Sequence, residues 1–288
     1  MIGRLALFAL LVSAPADPGP AALAVSVRAR AIRPGELVVL TIAAPPSATS
    51  VRVSAFGRSI DAWRVDARTW EALVGVDLDQ APGSYQAAVE AATPDGPARG
   101  GSALRVQPRH FPTRRLSVDD AFVNPPAAVT ARIEEEARAL RAIYAAPTSA
   151  PLWHDPFVRP VPGPANSRFG TRSVFNGVPR NPHAGGDFLS PAGTPVLAPN
   201  AGHVVLARDL YFTGNTVVLD HGGGVLSMLA HLSKIDVTEG ADVGRGQEVG
   251  LVGATGRVTG PHLHWAVRVN NARVDPLSLL AVLGAEER

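Results

Sequence analysis

The chain has 288 residues, of which 46% are hydrophobic and 18% charged, so it is long enough for two domains of about 150 residues. This composition excludes a chain that is disordered throughout, and a formal net charge of +2 with scattered arginines argues against nucleic acid as a partner. Because cysteine is absent, the chain has no disulfides or thiol nucleophile, and any zinc site must use histidine and carboxylate.

The first residues have the pattern of a secretory signal peptide, which we predict for residues 1–16. Arg4 precedes the apolar run Leu5–Val12, and the small residues of Ser13–Ala16 end it. This apolar run is much shorter than the roughly 20 residues of a membrane-spanning helix. The alternative is a buried N-terminal strand. We therefore expect an exported protein, periplasmic or extracellular, without an integral membrane segment after signal removal.

Residues 22–107 are predicted to form a small β-sandwich of immunoglobulin type. Stretches rich in strand formers alternate with turns that contain proline and glycine, such as Arg33-Pro-Gly and Ala81-Pro-Gly. These stretches are residues 24–30, 37–42, 51–54, 69–74 and 83–91. Since no cluster in them carries catalytic chemistry, the domain is predicted to be accessory, either a binding module or a spacer.

Residues 108–165 are predicted to be a linker that contains one helix. Apolar residues recur every three or four positions over 127–145, which indicates an amphipathic helix. Its glutamates are expected toward its start and its arginines toward its end, as the helix macrodipole favours. Residues 147–164 are rich in proline and predicted to be irregular. Within them, Trp153-His154-Asp155-Pro156 is either an exposed stretch or a cover over an active site.

Residues 166–284 return to a strand pattern and are predicted to form a second domain. Strand formers occupy residues 194–198, 202–207, 215–220, 224–231, 249–253 and 262–269, with glycines at the turns. Asp275 followed by Pro276 predicts the cap and first turn of a short final helix. The expected fold class is mainly β: an immunoglobulin-like β-sandwich, one linker helix and a C-terminal antiparallel β-sheet domain.

Two pairs of residues in the second domain form a candidate metal site. His262 and His264 lie two apart in a predicted strand, so both imidazoles face one side and Leu263 faces the other. His183 and Asp187 are separated by Ala-Gly-Gly, which we interpret as a tight loop that lets both side chains converge. Two imidazoles and one carboxylate suit zinc and leave a fourth position for water.

The general base must also be a histidine. The chain has no His-Glu-x-x-His helix, so the usual glutamate base of zinc proteases is absent. The candidates are His231 and whichever member of the His262/His264 pair does not bind the metal.

The motifs in this domain resemble those of the lysostaphin/LytM family, zinc metalloendopeptidases that cut peptide bonds in bacterial peptidoglycan. The resemblance covers roughly residues 157–282 and includes His183-Ala-Gly-Gly-Asp187, Leu229-Ala-His231-Leu-Ser and the segment 253–265. One departure is Leu229, a position where the family usually has tyrosine, and this change can alter the groove. The resemblance implies a LytM-type antiparallel β-sheet peptidase domain with zinc in a groove between loops.

The resemblance also assigns roles to the five site residues. It implies that His183, Asp187 and His264 bind zinc, one ion per chain. It implies that His231 and His262 are the catalytic pair that stays off the metal. Which of these two is the base and which the acid stays open.

The expected function is hydrolysis of the stem or cross-bridge peptides of peptidoglycan, with cell-wall or divisome partners bound through the N-terminal domain. One alternative is a non-catalytic LytM-type regulator that binds and activates a cell-wall amidase, and another is a peptidase that acts on a different extracellular protein. A further hypothesis is latency, with the long segment before the peptidase domain covering the groove. Arg180 and Asn181 are candidates for lining that groove, whereas His110, His203 and His221 are expected to lie outside the site.

Overall fold

A computed structural model describes residues 22–117, 125–146, 148, 150–165 and 169–285. The predicted signal peptide, residues 1–16, lies outside the described residues. Over these described residues the fold is mainly β with two helices, which confirms the predicted fold class. Within the described part of the chain, no helix is long and apolar enough to cross a membrane.

The N-terminal region is an eight-stranded sheet folded into two facing halves. Its strands are β1 (Ala22–Ala29), β2 (Leu37–Ala43), β3 (Ser50–Ala55), β4 (Arg58–Asp61), β5 (Trp63–Arg64), β6 (Thr69–Gly75), β7 (Gly83–Ala92) and β8 (Ala98–Val106). They are hydrogen-bonded in the order β4-β3-β7-β8-β1-β2-β6-β5. β1 joins the halves, because its first residues pair in parallel with β8 and the rest pair antiparallel with β2. Apolar side chains from both halves, including Val53, Trp70 and Leu104, form a buried core.

Strand β8 lies outside the stretches that the sequence pattern predicts. It contains Gly100 and Gly101, and glycine has a low strand propensity. The glycines are needed there because a Cβ on Gly100 would lie 2.4 Å from the carbonyl oxygen of Leu23. The glycines therefore allow the close approach of β1, while Leu104 and Val106 of the same strand contribute to the buried core.

The segment after the sandwich contains β9 (Thr113–Leu116) and α1 (Ala127–Ala145), the predicted helix. The helix packs against an apolar cluster on the C-terminal sheet through its partly buried Leu140, Ile143 and Tyr144. The expected charge arrangement is wrong, because the first turn of α1 has no acidic residue and the last turn no basic one. The glutamates at 134–136 lie too far into the helix to interact with its N-terminus.

The C-terminal region is a second antiparallel sheet. Its elements are β10 (Arg172–Phe175), β11 (Val178–Pro179), β12 (Gly185–Phe188), β13 (Pro195–Leu197), β14 (Gly202–Leu210), β15 (Gly214–Gly222), β16 (Val225–Ile235), β17 (Asp242–Val243), β18 (Glu248–Val252), β19 (Leu263–Val269), β20 (Ala272–Val274) and α2 (Pro276–Leu283). In the large sheet, six strands are hydrogen-bonded in the order β12-β19-β16-β15-β14-β17. A separate small sheet has the order β11-β10-β9, in which β9 pairs in parallel with β10. The carboxylate of Asp275 accepts a hydrogen bond from the backbone N–H of Leu277, which is the predicted cap of α2.

The two sheets share one buried core. Leu37 and Leu73 of the sandwich belong to the same apolar cluster as Trp265 and Val269 of β19. All four side chains are fully buried. The sandwich therefore packs directly on the C-terminal sheet.

Candidate active site

Asp187 and His264 face each other on neighbouring strands. β12 pairs antiparallel with β19 in a register that places Asp187 opposite His264. Gly185–Phe188 is thus a strand, and the expected tight loop is wrong. Alternation along β19 places Leu263 and Trp265 in the core, as expected, and leaves His264 on the other face. There its Nδ1 lies 3.1 Å from Oδ1 of Asp187.

His183 completes a triangle of donor atoms. Its Nε2 lies 3.0 Å from Nδ1 of His264 and 3.1 Å from Oδ1 of Asp187. Ligand atoms at tetrahedral zinc are about 3.3 Å apart, given metal–ligand distances of about 2.0–2.1 Å. The triangle therefore fits a zinc ion in both donor type and size. Among the residues that the structure describes, these three form the group able to hold a metal ion.

The aspartate is held in its charged form. Burial alone would raise the pKa of Asp187, but hydrogen bonds from His183 and His264 outweigh burial and hold the pKa far below its ordinary value. A carboxylate that is ionised at all physiological pH values is the form that binds a metal ion.

Gly185 sets the orientation of the His264 ring. A Cβ at Gly185 would lie 2.7 Å from Cε1 and 2.8 Å from Nε2 of His264. The Nε2 side of the ring is thus packed on the backbone of β12, and Nδ1 is the nitrogen near Asp187 and His183. The Ala-Gly-Gly sequence contains this residue, but its role depends on the pairing of β12 with β19.

His231 enters the site at a bulge in β16. Asn215 pairs with Leu232 and Val217 with Leu229, so β16 has one residue more than β15 between these pairs. His231 takes a left-handed backbone conformation there, with φ of 66°. Both Leu229 and Leu232 point into the core. Leu229 is fully buried and does not line the groove, so the expectation that it shapes the groove is not supported.

His231 and His262 are anchored in the same way. The Nδ1 of His231 lies 3.0 Å from the carbonyl oxygen of Thr255, and the Nδ1 of His262 lies 2.9 Å from that of Gly260. Because a carbonyl oxygen only accepts hydrogen bonds, each Nδ1 carries the proton and each neutral ring has a lone pair on Nε2. The two ring centroids are 5.0 Å apart. Burial, together with the charge of His264, lowers the pKa of His231 to about 4.

The five side chains line one cleft of about 560 Å³. Arg180 and Asn181 line the cleft, as the sequence suggested. Arg114 and Leu116 of β9 also line it, and sequence reasoning missed them. They reach the cleft because β9 pairs with β10, a long-range contact that no local pattern reveals.

The other histidines and the tryptophan of the linker lie elsewhere. His203 is bound to Asp242 at 2.8 Å, and the buried His221 is within 3.0 Å of the Ser227 hydroxyl. Trp153 packs edge-on against Trp63 of the sandwich, 6.2 Å between ring centroids. None of these described side chains lines the cleft, and residues 153–156 do not cover it.

A triangle of His-Asp-His donors beside two further imidazoles in a cleft is the type of centre that a metal-dependent hydrolase uses, here on a mainly-β fold. Residues 181–276 match the model of peptidase family M23. The crystal structure of a candidate peptidase M23 from Pseudomonas aeruginosa is similar, with a TM-score of 0.67 and 35% identity over 87% of this chain and 96% of that chain. The chain belongs to peptidase family M23, which confirms the predicted family.

Two relatives match over about a third of this chain. The peptidoglycan DD-endopeptidase ShyA of Vibrio cholerae serotype O1 is 48% identical over 96 residues, 33% of this chain. The DD-carboxypeptidase/endopeptidase Mpg of Neisseria meningitidis serogroup B is 42% identical over 97 residues, 34% of this chain. The match covers 22% of the length of each relative.

Proposed function

We propose that the chain is an exported zinc metalloendopeptidase that hydrolyses peptide bonds in the stem or cross-bridge peptides of bacterial peptidoglycan. The observation that carries this proposal is the donor triangle with two oriented imidazoles beside it. The substrate class is supported by ShyA, the relative that is named as a peptidoglycan DD-endopeptidase. Export is supported by the signal-peptide pattern of residues 1–16.

Three atoms would hold the metal: Nε2 of His183, Oδ1 of Asp187 and Nδ1 of His264. A zinc ion there supplies a Lewis acid that polarises the scissile carbonyl and lowers the pKa of water. The ordinary partners of such an ion are neutral imidazoles and an ionised carboxylate, and burial lowers the pKa of His264 while Asp187 stays charged.

His231 and His262 would move the protons. In the neutral form each ring has its lone pair on Nε2, and in that form either can accept a proton from the attacking water. A ring protonated in this way donates from Nε2 to the leaving amine nitrogen. The hydrogen bonds to Thr255 and Gly260 hold the two rings in place during both transfers. The low pKa of His231 keeps that ring neutral, and therefore able to accept a proton, at neutral pH.

The test compares metal content and hydrolysis in the same protein samples. The purified protein should contain about one zinc per chain and release peptides from purified sacculi. His231→Ala should keep the zinc but lose at least about 100-fold in hydrolysis, because it removes a proton-transfer group and no ligand. His203→Ala, which changes a histidine outside the cleft, should keep both properties.

Two results would contradict this proposal. If His231→Ala digests sacculi at the normal rate, His231 is not catalytic. If the protein carries no zinc, does not digest sacculi and still activates a cell-wall amidase, the chain is a regulator of the LytM type rather than a peptidase.

A further inference from the structure

The turn between β14 and β15, residues 211–213, lies between the linker helix and the active site, and we call it the junction turn. Its Phe212 and Thr213 line the catalytic cleft. The carbonyl oxygen of Thr213 accepts a hydrogen bond from the backbone N–H of His231, at 2.9 Å. That of Phe212 accepts one from the backbone N–H of Arg257, at 3.0 Å. The junction turn therefore helps to set the backbone position of His231.

The first residue of the junction turn is held by α1. The backbone N–H of Tyr211 donates to Oε2 of Glu136, at 2.9 Å. The other oxygen, Oε1, accepts from Nε of Arg132 at 2.6 Å, and Arg132 also pairs with Asp209 of β14 at 2.8 Å. The side chain of Glu136 is 14% exposed, so water competes little for its oxygens. Glu136 thus joins the helix to the turn by a charge-assisted hydrogen bond.

Helix α1 can hold the turn because the helix is itself docked on the sheet. Its Leu140, Ile143 and Tyr144 pack against the apolar cluster that contains Leu210, the residue just before the turn. The helix precedes residues 181–276, the part of the chain that matches the family model. The support for the turn therefore comes from outside the matched region.

We infer that Glu136 is a positioning residue of the active site: it fixes the junction turn and, through the Thr213 carbonyl, the backbone of His231. A residue with a φ of 66° at a strand bulge keeps that conformation only where its neighbours hold it. Glu136 does not line the cleft, so it acts through the turn and not on the substrate. That His231 transfers protons rests on the proposed function, whereas its position does not.

Amide hydrogen exchange, resolved by NMR on the full-length protein, tests this inference without using hydrolysis. The N–H of His231 is bonded to Thr213, so its exchange rate reports on how firmly the turn is held. Glu136→Ala should speed the exchange of this amide at least about tenfold. Glu136→Gln keeps an acceptor oxygen and should stay within about threefold of the wild type. Glu135→Ala is the matched control, because Glu135 is exposed on the same helix, and it should leave the rate unchanged.

Hydrolysis of a soluble cross-linked muropeptide gives the second measurement. In Glu136→Ala, kcat should fall at least about threefold while the zinc content stays the same, because His231 is displaced and no ligand is touched. Glu136→Gln should recover most of kcat. Ser278→Ala removes a buried hydroxyl outside the cleft and should leave kcat unchanged, which controls for a general loss of stability. If Glu136→Ala does not fold, Arg132→Ala frees the carboxylate without removing it and should change both measurements in the same direction by a smaller factor.

The outcomes separate this inference from the proposed function. Exchange of the His231 amide that is no faster in Glu136→Ala than in Glu135→Ala overturns the inference. An equal kcat in Glu136→Ala and in an active wild type also overturns it, as does an equal fall in Glu136→Ala and Ser278→Ala. Faster exchange in Glu136→Ala, with no hydrolysis by the wild type, supports the inference and contradicts the proposed activity. Hydrolysis by the wild type with unchanged exchange does the opposite.

Discussion

His231 places a functional side chain on an unfavourable backbone. Its φ of 66° lies in the left-handed region, which costs a residue with a β-carbon about 1–2 kcal/mol. Three of the other described non-glycine residues with positive φ are asparagines, and asparagine and histidine both occur in this region more often than most other residues do. Pairing of β16 with β15 and β19 on its two sides holds the bulge in place. The bulge in β16 therefore accounts both for the positive φ of His231 and for the orientation of its imidazole.

Substituting His231 with glycine and with alanine separates these two effects. Both variants lose the imidazole, so both should lose hydrolysis. His231→Gly should be about 1 kcal/mol more stable than His231→Ala, because glycine adopts positive φ without strain. Urea unfolding followed by tryptophan fluorescence measures the difference. As a control, Ala230→Gly should lower stability, and a His231→Gly protein no more stable than His231→Ala would show that the backbone is not strained.

Gly185 allows a second prediction at this scale. Gly185→Ala would push a methyl group into the ring of His264, so zinc affinity should fall by about tenfold or more. Gly186→Ala is the matched control, because its Cβ would first meet the Phe188 ring at 3.2 Å. Competition with a chromophoric chelator measures both affinities, and circular dichroism checks that both variants are folded. Equal zinc affinity in the two variants would contradict the role of Gly185.

At the scale of elements, the sequence pattern predicted those strands and helices whose own residues favour that secondary structure. Runs of β-branched residues predicted the long strands, the three- to four-residue period predicted α1, and Asp275-Pro276 predicted the start of α2. β12 is different, since Gly185 and Gly186 have little strand propensity and the segment is a strand because it pairs with β19. β9 likewise depends on its pairing with β10.

The candidate site likewise has features that the local sequence predicts and features that depend on long-range pairing. Residue types and spacing identified the five side chains that the structure brings together. Their division into metal ligands and catalytic pair came from family resemblance and stays a prediction. The bulge at His231 and the position of Arg114 and Leu116 in the cleft depend on strand register and long-range pairing, which the sequence does not display.

Docking of α1 on the sheet can be tested directly. Leu140 and Ile143 pack against the cluster that contains Leu206 and Met228. Leu140→Ala and Ile143→Ala should each lower the free energy of unfolding by about 1–2 kcal/mol, because both side chains are only partly buried. The exposed Arg141→Ala should change it by less than about 0.5 kcal/mol. Equal effects of all three substitutions would mean that the helix is not docked through this face.

At the scale of the whole molecule, the sandwich and the peptidase sheet behave as one packed unit. Besides the shared apolar core, the fully buried Glu36 of the sandwich accepts hydrogen bonds from Arg30 at 3.0 Å and from the Ser278 hydroxyl of α2 at 2.7 Å. Burial alone would raise the pKa of Glu36, and these hydrogen bonds lower it below its ordinary value. Separating the two regions would therefore expose the shared apolar surface and break the Ser278 hydrogen bond to Glu36, which would keep its pairing with Arg30.

This arrangement bears on the latency hypothesis. Of the described residues before 150, Arg114 and Leu116 line the cleft, and they form part of its wall. The sandwich itself packs elsewhere, where Asn270 of the peptidase sheet donates to the carbonyl oxygen of Leu73 at 2.8 Å. The described residues therefore favour a structural role for the sandwich over a role as a cover.

An ion pair across this interface predicts how stability depends on pH. The Nε of Arg273 lies 3.1 Å from Oδ2 of Asp77, and the backbone N–H of Arg273 donates to the same oxygen at 2.9 Å. Burial alone would raise the pKa of Asp77, but these hydrogen bonds lower it from 3.8 to about 2. A carboxylate with a lowered folded-state pKa stabilises the fold above its unfolded pKa, and this contribution is lost as the pH falls through the folded value.

Asp77→Asn should therefore lower the free energy of unfolding by about 2 kcal/mol at pH 7 and at pH 5. The difference from the wild type should shrink below about pH 4, because the wild-type carboxylate then becomes protonated on unfolding. Urea unfolding at pH 7, 5 and 3 measures it. Asp61→Asn is the control, since it breaks the exposed pair with Arg52 within the sandwich and should cost less than about 0.5 kcal/mol at every pH. A loss for Asp77→Asn that is the same at pH 7 and pH 3 would show that the interface is held by packing alone and that the ion pair adds nothing to it.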